Sequence, residues 1–256
     1  MKKILSLLVL MAVVLGGVSA SAATLYATDG RTIDVADSDI ALWESVGWYK
    51  EADTIMVYAE DGRTQRIPTV AFDAWHSVGW YSAPVMRVYA TDGRSELILK
   101  ENYEAWKKVG WMDTPMELLY APYINEVYKI AKADFPSAWT MYIYYDINKD
   151  GVRELIVDDG LYEAGRRYYV YTIVDGKVVF LGNIPAGHTS MAHIPNANGV
   201  LLMWGHQGYF GASRVELING QLVNKEVLPD RYYSGDYPES WEIIKGSFDL
   251  EFTRVY

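Results

Sequence analysis

The chain has 256 residues, a net charge of −10 and no cysteine. This acidity argues against nucleic acid and anionic membrane surfaces as partners, and it suits a cation ligand. Without cysteine there is no disulfide framework, lipid attachment site or thiol nucleophile, so the fold depends on its core, a metal ion or both.

The first 22 residues have the pattern of a secretory signal peptide. Lys2 and Lys3 form a positive region, residues 4–18 are mainly apolar, and Ala20-Ser21-Ala22 has the small-x-small form of a cleavage site. An uncleaved membrane anchor is the alternative, but the apolar run is short for a span of about 20 residues. We therefore predict cleavage, an extracellular or cell-surface location, and no transmembrane helix in the mature chain. Loss of the two lysines would change the net charge from −10 to −12.

Residues 23–113 contain three copies of one sequence pattern. Tyr-Ala-x-Asp-Gly-Arg occurs at 26–31, 58–63 and 89–94, and Val-Gly-Trp follows at 46–48, 78–80 and 109–111. A tryptophan lies 13 residues after each glycine, at Trp43, Trp75 and Trp106. These fixed offsets and the period of 31 to 32 residues indicate a duplicated unit, with copies at 25–50, 57–82 and 88–113.

Each copy is predicted to form a β-hairpin followed by a short helix. Asp-Gly between two β-prone runs favours a hairpin, because the turn needs positive φ. Helices are expected to begin near Ser38-Asp39, Thr69 and Asn102, which are favourable N-caps. One copy has little core, so its tryptophans are expected to be buried and its arginines (Arg31, Arg63 and Arg94) solvated or salt-bridged. The alternative is that these Trp and Arg side chains bind a ligand such as cell-wall polysaccharide.

The three copies resemble the Tyr-x-x-Asp-Gly-Arg…Gly-Trp repeats of uncharacterised secreted Gram-positive proteins. Choline-binding wall repeats also contain Gly-Trp, but they are shorter and have a different hairpin. The resemblance implies a secreted protein with repeats and brings no defined activity.

Residues 117–256 are predicted to form one α+β domain, which begins after Thr114-Pro115. Pro122 suits the first turn of a helix, and an apolar stripe from Ile124 to Ala131 follows it. Strands come next, with hairpin turns at Asp175-Gly176 and Asn219-Gly220, both favoured type I′ pairs. One helix followed by an antiparallel meander gives the α+β class.

The stretch Asp146-Ile147-Asn148-Lys149-Asp150-Gly151 has the pattern of a calcium-binding loop. Oxygen-bearing side chains stand at alternate positions, and Gly151 permits the sharp turn that wraps a chain around an ion. A calcium ion takes six to eight oxygen ligands. The ligands expected here are the side chains of Asp146, Asn148, Asp150 and Glu154 and the backbone carbonyl of Val152.

Flanking strands, and Val157 at the twelfth position, distinguish this stretch from an EF-hand. It resembles the strand-loop-strand calcium loops of integrin-type and other extracellular β proteins. That resemblance, limited to Asp146–Val157, implies the same ligands and calcium as the cofactor. Without an acid at the twelfth position, a weak affinity is expected, with a Kd of roughly 10⁻⁴ to 10⁻³ M. The alternative is an ion-free turn whose Asx side chains bond to their own backbone.

Three histidines, His188, His193 and His206, lie within 19 residues. Their spacing fits no zinc signature, and positions 188 and 193 would point to opposite faces of a strand, so structural roles are favoured over a metal site. A groove at the sheet edge, lined by His188 and His206, is the candidate site of an enzyme. The pair Asp158-Asp159 is interpreted as the solvated end of a strand.

The sequence thus favours a secreted calcium-binding interaction or cell-surface binding protein. Its partners would be Ca²⁺ and a cell-wall polysaccharide or an extracellular protein. One alternative is an extracellular hydrolase that uses His188, His206 and nearby acids, although no Gly-x-Ser-x-Gly elbow or phosphate loop is present. The other is a structural envelope protein with calcium as its only ligand.

Overall fold

A computed structural model describes residues 22–162, 164–194, 197–232 and 248–256. The fold combines helices with mostly antiparallel strands, in agreement with the predicted α+β class. The predicted signal peptide lies outside the described residues except for Ala22, at which the first strand begins. No helix within the described ranges is long and apolar enough to span a membrane.

Three N-terminal segments share one order of elements: a hairpin, a 3-10 turn and a short α-helix. The hairpins are β1 (Ala22–Tyr26) with β2 (Thr32–Ala36), β3 (Thr54–Ala59) with β4 (Thr64–Pro68), and β6 (Val85–Tyr89) with β7 (Ser95–Leu99). A short strand after the second helix, β5 (Trp80–Tyr81), pairs with β3. The 3-10 turns Asp37–Asp39, Thr69–Ala71 and Lys100–Asn102 lead into α1 (Ile40–Ser45), α2 (Phe72–His76) and α3 (Tyr103–Lys107).

The ends of the short helices follow the prediction only in part. No side chain caps α1 or α2, because the chain enters each helix through the 3-10 turn and Ser38 bonds to Asp39 instead. After α1, Gly47 has a φ of 92°, and the Trp48 N–H donates to the Trp43 carbonyl. This is the left-handed helix ending that Val-Gly-Trp predicts. Trp43 is buried, whereas Trp75 and Trp106 are half-buried.

The helix α4 (Met116–Asp134) begins directly after Pro115, so Pro122 lies inside it and not in its first turn. The apolar stripe starts earlier than predicted, because Met116 and Tyr120 add two turns to it, and both side chains are fully buried. A prolyl residue inside a helix removes one backbone hydrogen bond, and here the burial of the longer stripe offsets that loss.

The strands after α4 form two five-stranded sheets rather than one meander. The described strands are β8 (Met141–Tyr145), β9 (Glu154–Asp158), β10 (Arg167–Val174), β11 (Lys177–Pro185), β12 (Thr189–His193), β13 (Val200–His206), β14 (Tyr209–Ile218), β15 (Gln221–Tyr232), β16 (Phe248–Asp249) and β17 (Thr253–Arg254). The first sheet has the order β11-β10-β9-β8-β17, and the second has the order β15-β14-β13-β12-β16.

The meander is divided between β11 and β12. Pro185 ends β11 and has no N–H to continue the ladder, and His188 turns the chain with a φ of 52°. The two predicted type I′ turns are confirmed, since Asp175, Gly176, Asn219 and Gly220 all have positive φ. Gln207-Gly208 adopts the same two left-handed residues between β13 and β14, a third such turn that the sequence analysis did not identify.

Both faces of the first sheet are covered. Ile156 and Val170 share one core cluster with Val200 and Leu202 of the second sheet. Leu155 and Val157 of β9, on the opposite face, cluster with the buried side of α4. The strand β9 is consequently buried along its whole length, which fixes the residues at both of its ends.

The chain divides into two compact units. One comprises the residues up to Arg87 together with Leu97–Tyr103, and the other comprises Val88–Glu96 and Glu104–Tyr256. The tip of the third hairpin therefore belongs to the second unit, where Tyr89 pairs with Met112.

Candidate metal centre

The predicted calcium loop connects β8 to β9, two neighbouring strands of the first sheet. It begins at Asp146, directly after Tyr145, and ends at Glu154, the first residue of β9. Lys149 and Gly151 take left-handed conformations, with φ of 63° and 90°, and these two residues close the loop.

The oxygens of three expected ligands converge within this loop. The backbone N–H of Asp150 points to Asp146 Oδ1 at 3.2 Å and to Asn148 Oδ1 at 3.3 Å. Gly151 N donates to Asp146 Oδ2 at 3.0 Å, and Val152 N donates to Asp150 Oδ1 at 2.8 Å. Asn148 Nδ2 also donates to Asp150 Oδ2 at 2.8 Å. These bonds hold Asp146, Asn148 and Asp150 around one small volume.

The two loop carboxylates have no counter-cation among the described residues. Asp146 and Asp150 accept hydrogen bonds from backbone and amide N–H groups, and no described Lys or Arg forms an ion pair with either. Lys149 lies in the same loop, but its Nζ donates to the backbone carbonyl of Asp146 at 3.0 Å and to Tyr145 Oη at 3.1 Å. Two adjacent carboxylates that form no ion pair repel each other and attract a cation.

Glu154 has a different position from the other four expected ligands. Its side chain is fully buried, and its Oε2 accepts from Ile147 N and its Oε1 from Thr172 Oγ1, both at 2.9 Å. Burial raises the pKa of Glu154 to about 7, against the lowering effect of these two hydrogen bonds and with a smaller raising effect from Asp150 and Asp146. Glu154 therefore anchors the loop to β10, and only its remaining lone pairs are available to a metal.

The donor set suits a hard cation, since it consists of carboxylate, amide and carbonyl oxygens. Within the described part of the chain, no three His, Asp or Glu side chains are grouped so that they could hold a metal ion. A calcium ion in this loop would be held by Asp146, Asn148, Asp150, the carbonyl of Val152 and the remaining lone pairs of Glu154, and water would complete its shell.

The far end of the loop is held by the third hairpin and by α4. Thr91 Oγ1 donates to the Gly151 carbonyl at 3.0 Å, and Arg153 N donates to the Thr91 carbonyl at 3.3 Å. Tyr120 of α4 donates its hydroxyl to the Arg153 carbonyl at 2.9 Å. The last residues of the loop are thus fixed from two sides before any ion binds.

Of the three histidines that lie close together in the C-terminal sequence, two form a pair and one lies apart. His188 and His206 stack, with ring centroids 4.7 Å apart and an interplanar angle of 27°. His193 instead contacts Tyr145 Oη through Nδ1 at 2.5 Å, and burial, with the charge of Lys149, lowers its pKa. The predicted juxtaposition of His188 and His206 is therefore present, and His193 lies beside the calcium loop.

A buried acidic pair was missed by the sequence analysis. Asp158 and Asp159 are 1% and 2% exposed, so their interpretation as a solvated strand end is wrong. Burial raises the pKa of Asp158 to about 6, although the Arg166 guanidinium lies 3.4 Å away and opposes the shift. Asp159 Oδ2 and Arg166 Nε have no hydrogen-bond partner among the described residues. The signal was the apolar run Leu155–Val157, because a strand buried on both faces also buries the residues that end it.

Comparisons with protein-family models, with curated proteins and with solved structures find no match to this chain. The assignment of a function consequently depends on the chemistry of the sites described above.

Proposed function

We propose that this chain is a secreted calcium-binding protein that acts in interactions at the cell surface. The observation that carries the proposal is the pair of carboxylates Asp146 and Asp150, which form no ion pair with a described Lys or Arg and whose oxygens converge with that of Asn148 in a closed loop. Calcium supplies the missing positive charge when it binds. Because the loop joins two central strands, the ion would stabilise the whole second unit.

The location and the repeat organisation belong to the same proposal. The signal-peptide pattern of residues 1–22 supports export, and the shared hairpin–helix order of three segments supports three tandem copies in residues 23–113. Tandem copies present similar surfaces side by side, which suits a cell-wall polysaccharide or an extracellular protein as partner.

The test is a comparison of thermal unfolding in 10 mM calcium and in chelator. At a Kd near 10⁻⁴ M the ion stabilises the folded chain by about 2.7 kcal/mol, so the melting temperature should rise by roughly 5–10 °C. Asp146→Ala should abolish this rise. Asp175→Ala, in a hairpin turn of the same unit, is the matched control and should retain it.

The readout is the difference between the two conditions for each variant, because Asp146→Ala also removes two hydrogen bonds that exist without the ion. Equal melting temperatures of the unmodified chain in calcium and in chelator would contradict the proposal. An equal rise in unmodified chain and Asp146→Ala would place the ion elsewhere.

An extracellular hydrolase is the second candidate function, and the stacking of His188 on His206 is the observation that favours it. Adjacent imidazoles provide the kind of groups that act as general acid and general base in hydrolysis. Release of soluble fragments from dye-labelled cell walls, lost on the double change His188→Ala/His206→Ala, would support this function. Release that is unchanged by the double change would exclude a catalytic role for the pair.

A further inference from the structure

The second sheet carries four ring side chains on one face of its strands β13, β14 and β15. Side chains of directly opposite residues in neighbouring strands lie on the same face. The opposite pairs are Trp204 with Gly211, His206 with Tyr209, and Tyr209 with Tyr232. Trp204 and His206 share this face because they are two positions apart on β13. We call the side chains of Trp204, His206, Tyr209 and Tyr232 the aromatic face.

The aromatic face continues a core face of the same sheet into solvent. Leu202, two positions before Trp204, is buried in the cluster that it shares with the first sheet. Trp204 is half-buried and His206 is exposed. Tyr209 and Tyr232 are 55% and 61% exposed, so more than half of each side chain is accessible in spite of their contact with each other. Large aromatic side chains exposed together on one face indicate a binding surface.

Two glycines allow the rings to lie close to the backbone of the sheet. A Cβ added at Gly211 would overlap the Trp204 indole, and one added at Gly208 would overlap the Tyr232 ring. Gly208 also has a φ of 87°, which the turn between β13 and β14 requires. A larger residue at either position would therefore displace a ring of the aromatic face.

The polar groups of these rings have no partner in the described part of the protein. Trp204 Nε1, Tyr209 Oη and Tyr232 Oη form no hydrogen bond with a described residue, and none of the three atoms is buried without a partner. They are therefore available to a ligand. Tryptophan and tyrosine are uncharged at neutral pH, and a simple cation would offer no acceptor to the indole N–H. The face thus suits a neutral ligand that has both apolar surface and hydrogen-bonding groups.

The area of the aromatic face distinguishes a polysaccharide from a protein as its partner. Because one aromatic side chain has about 150–250 Å² of surface and these four are only partly exposed, together they offer roughly 300–400 Å². One side of a standard protein–protein interface buries about 800 Å². The aromatic face alone is consequently too small for a stable protein partner, and its size fits a few sugar rings.

We propose that the aromatic face binds β-1,4-linked pyranoses whose ring substituents are all equatorial, as in chains of glucose or N-acetylglucosamine. Both faces of such a ring carry only C–H groups, which pack against aromatic rings, and the hydroxyls at its rim donate and accept. These hydroxyls would accept from Trp204 Nε1 and would bond to the hydroxyls of Tyr209 and Tyr232. This inference rests on the proposed role in interactions at the cell surface, and it names the chemical class of the polysaccharide.

The experiment is a calorimetric titration of the full chain, in chelator, with the β-1,4-linked tetrasaccharide of glucose. The mannose tetrasaccharide with the same linkage is the comparison ligand, because it differs only in an axial hydroxyl at C2 of each ring. An aromatic ring would cover that hydroxyl without offering it a hydrogen bond, so the mannose ligand should bind at least tenfold more weakly. No binding of the glucose ligand, or equal affinities of the two ligands, would overturn the proposal.

Tyr232→Ala and Tyr162→Ala locate the site, because the two tyrosines are 61% and 62% exposed, each lies against a glycine, and both belong to the second unit. Tyr232→Ala should weaken binding of the glucose ligand roughly tenfold, and Tyr162→Ala should leave it unchanged. Equal losses in the two variants, or no loss in either, would overturn the location.

Tyr232→Phe separates packing against the ring from bonding to its hydroxyl. This variant keeps the ring and should retain most of the affinity, whereas a loss as large as that of Tyr232→Ala would contradict packing of the sugar on the ring. The titrations are made without calcium, so their outcome is independent of the calcium proposal, which the melting experiment tests.

Discussion

The Asp-Gly-Arg turn of the second hairpin and the calcium loop start from the same local geometry. In Asp61-Gly62-Arg63 and in Asp150-Gly151-Val152 the glycine has a φ of 87° and 90°. In both, the aspartate Oδ1 accepts the N–H of the residue two positions later, at 3.1 and 2.8 Å. The two segments differ at that later residue. Arg63 returns a guanidinium to its own aspartate, whereas Val152 brings no charge.

This difference explains how the same local backbone structure serves as a structural turn in one segment and as a candidate ion site in the other. The backbone N–H of Arg63, together with its guanidinium, holds the pKa of Asp61 below its usual range. The negative charge of Asp61 is therefore balanced within the turn. The loop has the same backbone bond and adds a second carboxylate, Asp146, whereas its own lysine, Lys149, bonds to the Asp146 carbonyl and the Tyr145 hydroxyl. Charge balance, more than backbone shape, is therefore what separates a structural turn from a candidate ion site.

Glu154→Ala tests whether the loop depends on a buried anchor that the exposed turn lacks. The change leaves Ile147 N and Thr172 Oγ1 without their partner in the core, so the free energy of unfolding should fall by about 3–5 kcal/mol. Urea denaturation in chelator measures it. Asp61→Ala is the control and should cost much less, because its carboxylate is exposed. Similar losses in the two variants would remove this distinction.

The pH dependence of the free energy of unfolding tests the comparison at Asp158. The ion pair of Asp158 with Arg166 is buried, whereas the ion pair of Asp61 with Arg63 is exposed. Its pKa is raised from 3.8 to about 6 in the folded chain, so the folded state binds the proton more tightly than the unfolded state. The resulting stability is fully present below pH 4 and is lost as the pH rises through about 6, by up to about 3 kcal/mol. Asp158→Asn should flatten this part of the stability profile measured by urea denaturation. A profile between pH 4 and 7 that is identical in both proteins would contradict the assignment.

Val152→Arg converts the loop into the sequence pattern of the turn. A guanidinium beside Asp150 would compete with calcium, so the calcium Kd should rise roughly tenfold and about half of the melting shift should disappear. Val152→Leu controls for the half-buried position of this side chain and should keep the shift. If Val152→Arg retains the full shift, charge balance is not what distinguishes the two segments.

The local elements were predictable from sequence because their signals are local. The type I′ turns at Asp175-Gly176 and Asn219-Gly220 follow from residues that tolerate positive φ, and the hairpins of the first 113 residues follow from Asp-Gly. The convergence of Asp146, Asn148 and Asp150 follows from their alternate spacing around a glycine. The helix α4 starts earlier than the pattern around Pro122 predicts, because Met116 and Tyr120 already belong to the apolar stripe.

The remaining features depend on contacts between distant residues, which spacing does not encode. Glu154 bonds to Thr172, 18 positions later, and both Glu154 and Asp158 share the face of β9 on which Ile156 packs against the second sheet. The stacking of His188 on His206 depends on the left-handed backbone of His188 before β12. A prediction made from local sequence alone places such acidic residues on the surface.

The bonds of Thr91 to Gly151 and Arg153 bear on where the protein can be divided. A fragment that begins after Thr114-Pro115, the domain boundary that the sequence predicts, would lack the Thr91 hydroxyl that bonds to the second half of the calcium loop. In a fragment that starts at Glu117, the second half of the calcium loop would become ordered only when the ion binds. The cost of that ordering would lower the free energy of calcium binding. Fragments that start before Val85 would retain the contacts of Thr91 with the calcium loop.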